Sequence, residues 1–170
     1  PIFSNDFIRQ TWLVEVNGEG LVEVAFDLGE IHSKGKTERI CEIELELLKG
    51  HEGLLFQLGQ DIATLPGARL ANVSKAQRGF ALATEQTGSI IPLSFVPLQP
   101  DTQVLTGLQQ IASYALQHWQ HHEHLYLQHQ MPALANMRDG VNLMHQALLL
   151  FAPHIPKSLP RSWLADLNWL

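Results

Sequence analysis

Residues 41–47 read Cys41-Glu42-Ile43-Glu44-Leu45-Glu46-Leu47, which is the strictest alternation of polar and apolar residues in the chain. Because successive side chains of a β-strand point to opposite faces, this period of two predicts a strand over residues 40–48. One face of that strand would carry three glutamates, and the opposite face would carry aliphatic side chains. The stretch therefore predicts a sheet with one apolar face and one acidic face.

Two further strand patterns precede this stretch. Residues 7–16 are rich in β-branched and aromatic types and lead into Asn17-Gly18, a dipeptide typical of two-residue hairpin turns. Residues 21–27 alternate again, so that one face can be buried while the other carries carboxylates. A glycine-containing loop over residues 33–36 leads into the third strand. Together these patterns predict an antiparallel sheet of three or four strands.

Helical patterns begin after the third strand. Apolar residues recur at helical spacing over residues 51–65, and Pro66-Gly67 supplies a stop signal. Ser74 is a predicted N-cap for a second helix that ends near residue 83. Residues 84–101 break every period, so we predict a linker over residues 85–100 and a domain boundary there.

The last part of the chain is predicted to be helical. Asp101 or Thr102 is expected to cap a long amphipathic helix, and a second such helix is expected to end before Pro153. A third helix is predicted to start after Pro160. The whole chain is therefore predicted to have an α+β fold, with an antiparallel sheet and short helices followed by a helical segment.

Composition excludes several classes of protein. The chain has 170 residues, 45% of them hydrophobic, and a net charge of −6. Such apolar content excludes a disordered chain, and the net negative charge argues against nucleic acid as a partner. No apolar run approaches 18 residues, so we expect no membrane span. The single cysteine, Cys41, excludes an internal disulfide framework and fits a cytoplasmic location.

The acidic strand face suggests two alternatives. Glu42 and Glu44 would lie roughly 7 Å apart along the strand and could hold Mg²⁺ or Mn²⁺, with Asp27 and Glu23 on the neighbouring strand completing the site. Alternatively, the glutamates form an ordinary solvated face, which spacing alone favours. Arg9 could bind phosphate oxygens bidentately, or it could form a cross-strand salt bridge. Spacing does not decide between these roles.

Four blocks of sequence, taken together and in order, resemble the C-terminal half of a CYTH domain. They are Phe7-x-Arg9-x-x-Trp12, Val24-x-x-Asp27-x-Gly29-Glu30, residues 41–47, and Ser74-Lys75-Ala76-x-Arg78-Gly79-Phe80. The resemblance covers residues 1–84 and is closest to bacterial inorganic triphosphatases, in which a CHAD domain follows CYTH. It implies an eight-stranded antiparallel tunnel, in which basic side chains grip a triphosphate and acidic ones hold a divalent metal.

The resemblance also implies roles for individual residues. Arg9 and Lys75 would bind phosphate and act in catalysis, and Arg78 is a further phosphate candidate whose alternative is a surface helix charge. Asp27, Glu42 and Glu44 would hold Mg²⁺ or Mn²⁺, with Glu44 also counted as catalytic and Glu46 nearer the rim. On this resemblance, the metal role of the acidic face becomes the favoured alternative.

Residues 101–170 resemble the start of a CHAD domain, a helical bundle associated with polyphosphate binding. The resemblance rests on residues 136–148 and on the Trp and Leu pattern over residues 163–170. The chain departs from the family pattern of one histidine and several arginines. It keeps Arg138 but has Ala135, Asn142 and His145 at the other positions, which predicts weak polyanion binding.

These resemblances imply that the complete protein hydrolyses inorganic triphosphate to phosphate and diphosphate. The opening Glu-x-Glu-x-Lys strand of the family has no counterpart here, so the chain is expected to be a fragment that is inactive alone. Exposed sheet edges are expected to drive formation of a homodimer. The alternatives are a class IV adenylyl cyclase and a polyphosphate-binding or scaffold protein without turnover.

A cluster of histidines over residues 118–129 also has two interpretations. His118 and His122 are four residues apart, and His121 and His124 are three apart, so each pair could chelate a transition metal on one helix face. Few other ligand types lie nearby. We therefore favour a polar helix face over a metal site.

Overall fold

The computed structural model describes residues 1–85, 88–155, 163, 164 and 167. The chain divides into two compact units, Pro1–Thr87 and Gly88–Leu170. An antiparallel sheet and two helices form the first unit, and helices form the second. The predicted α+β class is confirmed. Among the described residues, no helix is both long enough and apolar enough to cross a membrane.

Three long strands form the sheet in the order β1-β2-β3. Their bounds are β1 Ser4–Val16, β2 Gly20–Ser33 and β3 Lys36–Lys49. They are longer than predicted because both connections are short, with three residues between β1 and β2 and two between β2 and β3. Asn17-Gly18 and Lys34-Gly35 have positive φ at both positions, between 48° and 77°, as tight hairpins with right-handed strand twist require. Of the predicted loop over residues 33–36, only Lys34 and Gly35 form the turn, because Ser33 and Lys36 belong to the strands.

Two helices of the first unit cover opposite faces of the sheet. Helix α1, Gly53–Ala63, buries Leu54 against Val16 and Val22 on the apolar face. Helix α2, Lys75–Thr84, lies over the face that carries the carboxylates. On that face the structure buries Ala25, Asp27 and Ile31 of β2. The sheet is therefore not buried on one side only, because α2 covers part of the predicted acidic face.

The start of α2 follows the sequence prediction. Ser74 Oγ accepts a hydrogen bond from the Gln77 N–H at 3.2 Å, and Gln77 Oε1 accepts one from the Ser74 N–H at 2.9 Å. This reciprocal pair is a capping box, which satisfies two backbone donors that the first helical turn leaves free. Just before β1, the Phe3 ring packs edge to face against the Phe80 ring of α2, with ring centroids 5.2 Å apart.

The second unit contains α3, Val104–Leu127, and α4, Ala133–Phe151, which is followed by a short 3₁₀ turn over Ala152–His154. Its core contains Leu108, Ala147, Leu148 and Ile155. The predicted caps of α3 were wrong. Gln103 occupies the N-cap position without a side-chain bond, because Thr102 Oγ1 instead accepts from the Gln99 N–H at 3.0 Å in the preceding turn.

Residues 88–99 have no helix or strand, yet side chains of α3 bind their backbone. His121 Nε2 donates to the Ser89 carbonyl at 2.9 Å, and the Ile91 N–H donates to His122 Nε2 at 3.2 Å. The Ser94 N–H donates to Tyr114 Oη at 2.8 Å. The predicted linker is therefore hydrogen-bonded to α3 through the backbone of Ser89, Ile91 and Ser94.

Two of the five histidines over residues 118–129 are packed inside the second unit rather than on a polar face. His118 and His122 are both buried, and their ring centroids lie 4.3 Å apart. His122 Nδ1 also donates to the His118 carbonyl at 2.7 Å. The favoured interpretation was therefore wrong for these two residues. The His122 ring is buried with both nitrogens hydrogen-bonded to backbone, whereas the buried His118 Nε2 has no hydrogen-bond partner among the described residues.

The third predicted helix falls largely on residues outside the described ranges. Trp163, Leu164 and Leu167 are helical, and the two leucines pack against the core of the second unit. The remainder of that prediction, including Leu170, lies outside the described residues.

Two glycines allow a test of how closely the sheet is packed. A Cβ added at Gly29 in β2 would lie 2.1 Å from the Asp6 carbonyl oxygen, whereas a Cβ at Gly59 in α1 meets only Leu45 Cδ1 at 4.0 Å. We expect Gly29→Ala to lower the free energy of unfolding by about 1–3 kcal/mol through overpacking. Gly59→Ala should instead raise it by about 0.5–1 kcal/mol, because alanine is the better helix former. Urea unfolding of both variants measures this, and equal effects would contradict the packing described here.

Candidate active site

Three carboxylates meet on the face of the sheet that α2 covers. Asp27 of β2 is the direct register partner of Glu42 in β3, and Glu44 lies two residues further along β3 on the same face. One oxygen of each carboxylate lies within 4.8 Å of the others, and Asp27 is fully buried. Within the described ranges, no other group of three or more such ligands meets this distance limit.

Arg9 extends this row across the sheet, because it is the register partner of Asp27 in β1. Its Nε and Nη2 donate to the two Asp27 oxygens at 2.7 Å each, and Nη2 also reaches Glu44 Oε2 at 2.5 Å. Such a parallel pair of charge-assisted bonds is the strongest geometry available to an arginine and a carboxylate. Arg9 thus forms the cross-strand salt bridge that the spacing left open.

Lys75, the first residue of α2, places its ammonium among all three carboxylates. Its Nζ lies 2.6 Å from Asp27 Oδ2 and 2.7 Å from Glu44 Oε1, and it also contacts Glu42 Oε1. The Lys75 side chain is only 12% exposed. Three donors of one ammonium therefore meet three separate carboxylates.

Arg78 binds the same face one helical turn after Lys75. Its Nε donates to Glu38 Oε1 at 2.6 Å and its Nη1 to Glu42 Oε2 at 2.9 Å, while Nη2 donates to the Arg39 carbonyl. With its side chain 15% exposed, Arg78 is not the surface helix charge that was its alternative interpretation. It pins α2 to β3.

Two members of the site were not predicted. Glu38 pairs with Arg78, and its even number in β3 places it on the face of Glu42 and Glu44, which is a signal that the sequence contains. The Phe7 ring lies 5.3 Å from Lys75 Nζ and 5.8 Å from Arg9 Cζ, so its π-face stabilises both cations.

The acidic face extends beyond the cluster. Glu23 and Glu46, which the sequence analysis placed on this face, are register partners of each other. Neither belongs to the group of close carboxylate oxygens. Their positions along the strands place them further toward the Val16–Gly20 turn.

Electrostatics keep the central groups charged. Hydrogen bonds from Arg9, reinforced by Lys75, lower the pKa of Asp27 to about 2 despite burial. Hydrogen bonding to Lys75 is the main cause that lowers the pKa of Glu44. The Asp27 hydrogen bond raises the pKa of Arg9. Burial acts to lower the pKa of Lys75, but its three carboxylate partners outweigh this effect and raise it.

The donor set suits a hard divalent cation. Asp27, Glu42 and Glu44 offer only carboxylate oxygens, the ligands that Mg²⁺ and Mn²⁺ prefer. These oxygens already surround a cationic group, the Lys75 ammonium. The geometry therefore provides a compact position for positive charge on the sheet.

Among its described residues, the second unit shows no comparable cluster of charged side chains. Arg138 is 74% exposed, and its Nη2 lies 3.9 Å from Asp139 Oδ1, which is a weak surface pair. Within the part of the chain that the structure describes, no group of close metal ligands includes a histidine.

The lowered pKa of Asp27 predicts acid sensitivity of the first unit. Because the folded pKa is about 2 and the ordinary value is 3.8, the unfolded chain binds more protons between these limits. The Asp27 carboxylate should therefore contribute about 2 kcal/mol to the free energy of unfolding above pH 5. This contribution should be lost as pH falls from about 4 to 2. Urea unfolding monitored by the indole NMR signal of Trp12 measures it. Constant stability from pH 5 to pH 2 would contradict this linkage.

Part of the chain is similar to a known enzyme. No family model matches the chain. Over 89 residues the chain is 43% identical to the inorganic triphosphatase of Haemophilus influenzae, and the aligned stretch covers 51% of this chain. That stretch is 24% of the length of the relative. About half of this chain is therefore similar to part of a triphosphatase.

Proposed function

We propose that the complete protein hydrolyses inorganic triphosphate to phosphate and diphosphate. In this proposal residues 1–84 are the C-terminal half of a CYTH domain, residues 85–100 are a linker, and residues 101–170 begin a CHAD-like domain. The observation that carries the proposal is the meeting of three carboxylates with Arg9 and Lys75 on one sheet face. The 43% identity to an inorganic triphosphatase supports it.

Asp27, Glu42 and Glu44 would hold Mg²⁺ or Mn²⁺. When bound, such an ion supplies charge neutralisation at the phosphate oxygens and a site for orienting water. The three carboxylates differ in exposure, with side chains 0%, 21% and 48% exposed for Asp27, Glu42 and Glu44. Glu44 is thus the carboxylate most open to solvent, and we assign it the task of orienting the attacking water.

Arg9, Lys75 and Arg78 would bind the phosphate oxygens. A guanidinium matches two phosphate oxygens at once, and an ammonium acts as a point charge. Developing charge on the equatorial oxygens is what such groups stabilise during phosphoryl transfer. In the structure all three cations bind carboxylates, so phosphate binding would require them to exchange or share partners.

The open sheet suggests that residues 1–170 do not act alone. Three strands leave the outer edges of β1 and β3 without a partner among the described residues, and they do not enclose the carboxylate face. Unpaired edges present free N–H and C=O groups that favour pairing with another strand. We therefore propose that the 170-residue chain is inactive by itself and forms a homodimer through these edges.

Turnover by the complete protein tests the function directly. We expect phosphate release from inorganic triphosphate with Mg²⁺ or Mn²⁺, and a fall in kcat of about 100-fold or more in Glu44→Gln, because a water-orienting carboxylate is lost. Glu46→Gln, on the same strand face but outside the cluster, is the matched control and should retain activity. A colorimetric phosphate assay measures both.

Two further measurements on the complete protein, of cyclic AMP formation and of polyphosphate binding, distinguish the alternatives. Formation of cyclic AMP from ATP without phosphate release would support an adenylyl cyclase. Tight binding of polyphosphate without turnover would support a scaffold protein. Turnover by the 170-residue chain alone would contradict the proposal that it is inactive.

Solution mass tests the proposed dimer. The 170-residue chain should elute with twice its 19.1 kDa mass in light scattering. Ile8→Lys places a charge on the outer strand β1 and should shift the mass toward the monomer, because an edge lysine blocks strand pairing. Phe56→Lys, at a side chain equally exposed at 73% but on α1, is the control and should stay dimeric. A monomeric mass for the unmodified chain would contradict edge pairing.

A further inference from the structure

Lys75 occupies the position where positive charge is held among the three carboxylates. Its Nζ contacts Asp27 Oδ2, Glu42 Oε1 and Glu44 Oε1, the last at 2.7 Å. The geometry points to Lys75 as an internal occupant of the cation position, which a divalent ion must displace in order to bind. This inference rests on the metal role in the proposed function and concerns the regulation of that site.

The argument begins with the supply of oxygen ligands. Asp27 has both oxygens engaged, by Arg9 and by Lys75, and is fully buried. Glu42 has one oxygen on Lys75 and the other on Arg78. Because the carboxylates have no free buried oxygen facing a second cation, a divalent ion that binds all three must take the oxygens that Lys75 now holds.

Charge balance leads to the same conclusion. Asp27, Glu38, Glu42 and Glu44 carry four negative charges, and Arg9, Lys75 and Arg78 carry three positive charges in direct contact with them. Adding a divalent ion while Lys75 stays in place would bring like charges together at short range, which is unfavourable in a weakly solvated site. Departure of Lys75 relieves this repulsion.

Displacement would also change what Lys75 can bind. The freed ammonium would lose all three carboxylate partners, and Glu44, with its side chain 48% exposed, marks the side of the cluster that is open to solvent. An anion with phosphate oxygens then becomes its alternative partner. Loading the cation therefore creates a binding group for phosphate, so the two ligands bind in a preferred order.

Manganese affinity of the 170-residue chain tests this inference. If Lys75 fills the position in about nine-tenths of the molecules, its removal should tighten Mn²⁺ binding about tenfold, because apparent affinity scales with the competent fraction. We expect this change in Lys75→Met, measured by titration calorimetry or by the Mn²⁺ electron paramagnetic resonance signal. Glu44→Gln should weaken binding and shows that the signal comes from this site.

Arg78→Met is the matched control, because it removes one positive charge that contacts Glu42 without emptying the centre of the cluster. It should change Mn²⁺ affinity by less than about threefold. Equal tightening in Lys75→Met and Arg78→Met would overturn the inference, since loss of charge would explain both. Equal affinity of the unmodified chain and Lys75→Met would overturn it while leaving the metal site intact. No Mn²⁺ binding in any variant would overturn the proposed metal role itself.

A measurement on the unmodified chain avoids dependence on variants that fold poorly. Acetylation by a water-soluble succinimidyl ester, followed by mass spectrometry, reports how accessible each lysine is. Mn²⁺ should raise the rate at Lys75 several-fold relative to exposed Lys49, which serves as the internal reference. An unchanged ratio at saturating Mn²⁺ would show that Lys75 stays in place, and the inference would fail.

Discussion

The bidentate pair between Arg9 and Asp27 is the interaction on which the first unit depends. Asp27 is fully buried, and a buried carboxylate is tolerated only when it is paired and hydrogen-bonded. Loss of Arg9 would leave Asp27 buried with Lys75 as its remaining cationic partner, and an undercompensated buried charge destabilises a fold. The register of β1, β2 and β3 and the docking of α2 all bring compensating charge to this one side chain. Satisfying Asp27 therefore fixes the arrangement of the sheet.

Much of this unit could be predicted from its sequence. The alternation over residues 41–47 fixed which glutamates share a face, and Asn17-Gly18 and Ser74 identified a turn and a cap that the structure contains. The alternation of side chains along a strand does not indicate which element packs against each face of the sheet. Burial of Asp27 under α2 depends on a helix that begins almost fifty residues later, so only the family resemblance indicated that Lys75 belongs with the carboxylates.

The second unit was harder to predict for a different reason. Histidine is a polar residue type that is expected at the surface. His122 is nevertheless buried, because both of its ring nitrogens form hydrogen bonds with backbone groups. The segment over residues 88–99 has no period, so its contacts with α3 leave no local pattern to detect. In both cases tertiary hydrogen bonds override the preference that single residues would suggest.

Helix α2 begins with a charge of the wrong sign for a helix. Lys75 stands at the first position and Arg78 three residues later, and the first turn has no acidic residue, although the amino end of a helix favours negative charge. The sheet supplies that missing negative charge through Asp27, Glu42 and Glu44. By itself the segment would be a poor helix, since its ten residues are also too few for independent stability. Fraying of α2 and opening of the carboxylate cluster are therefore a single cooperative event.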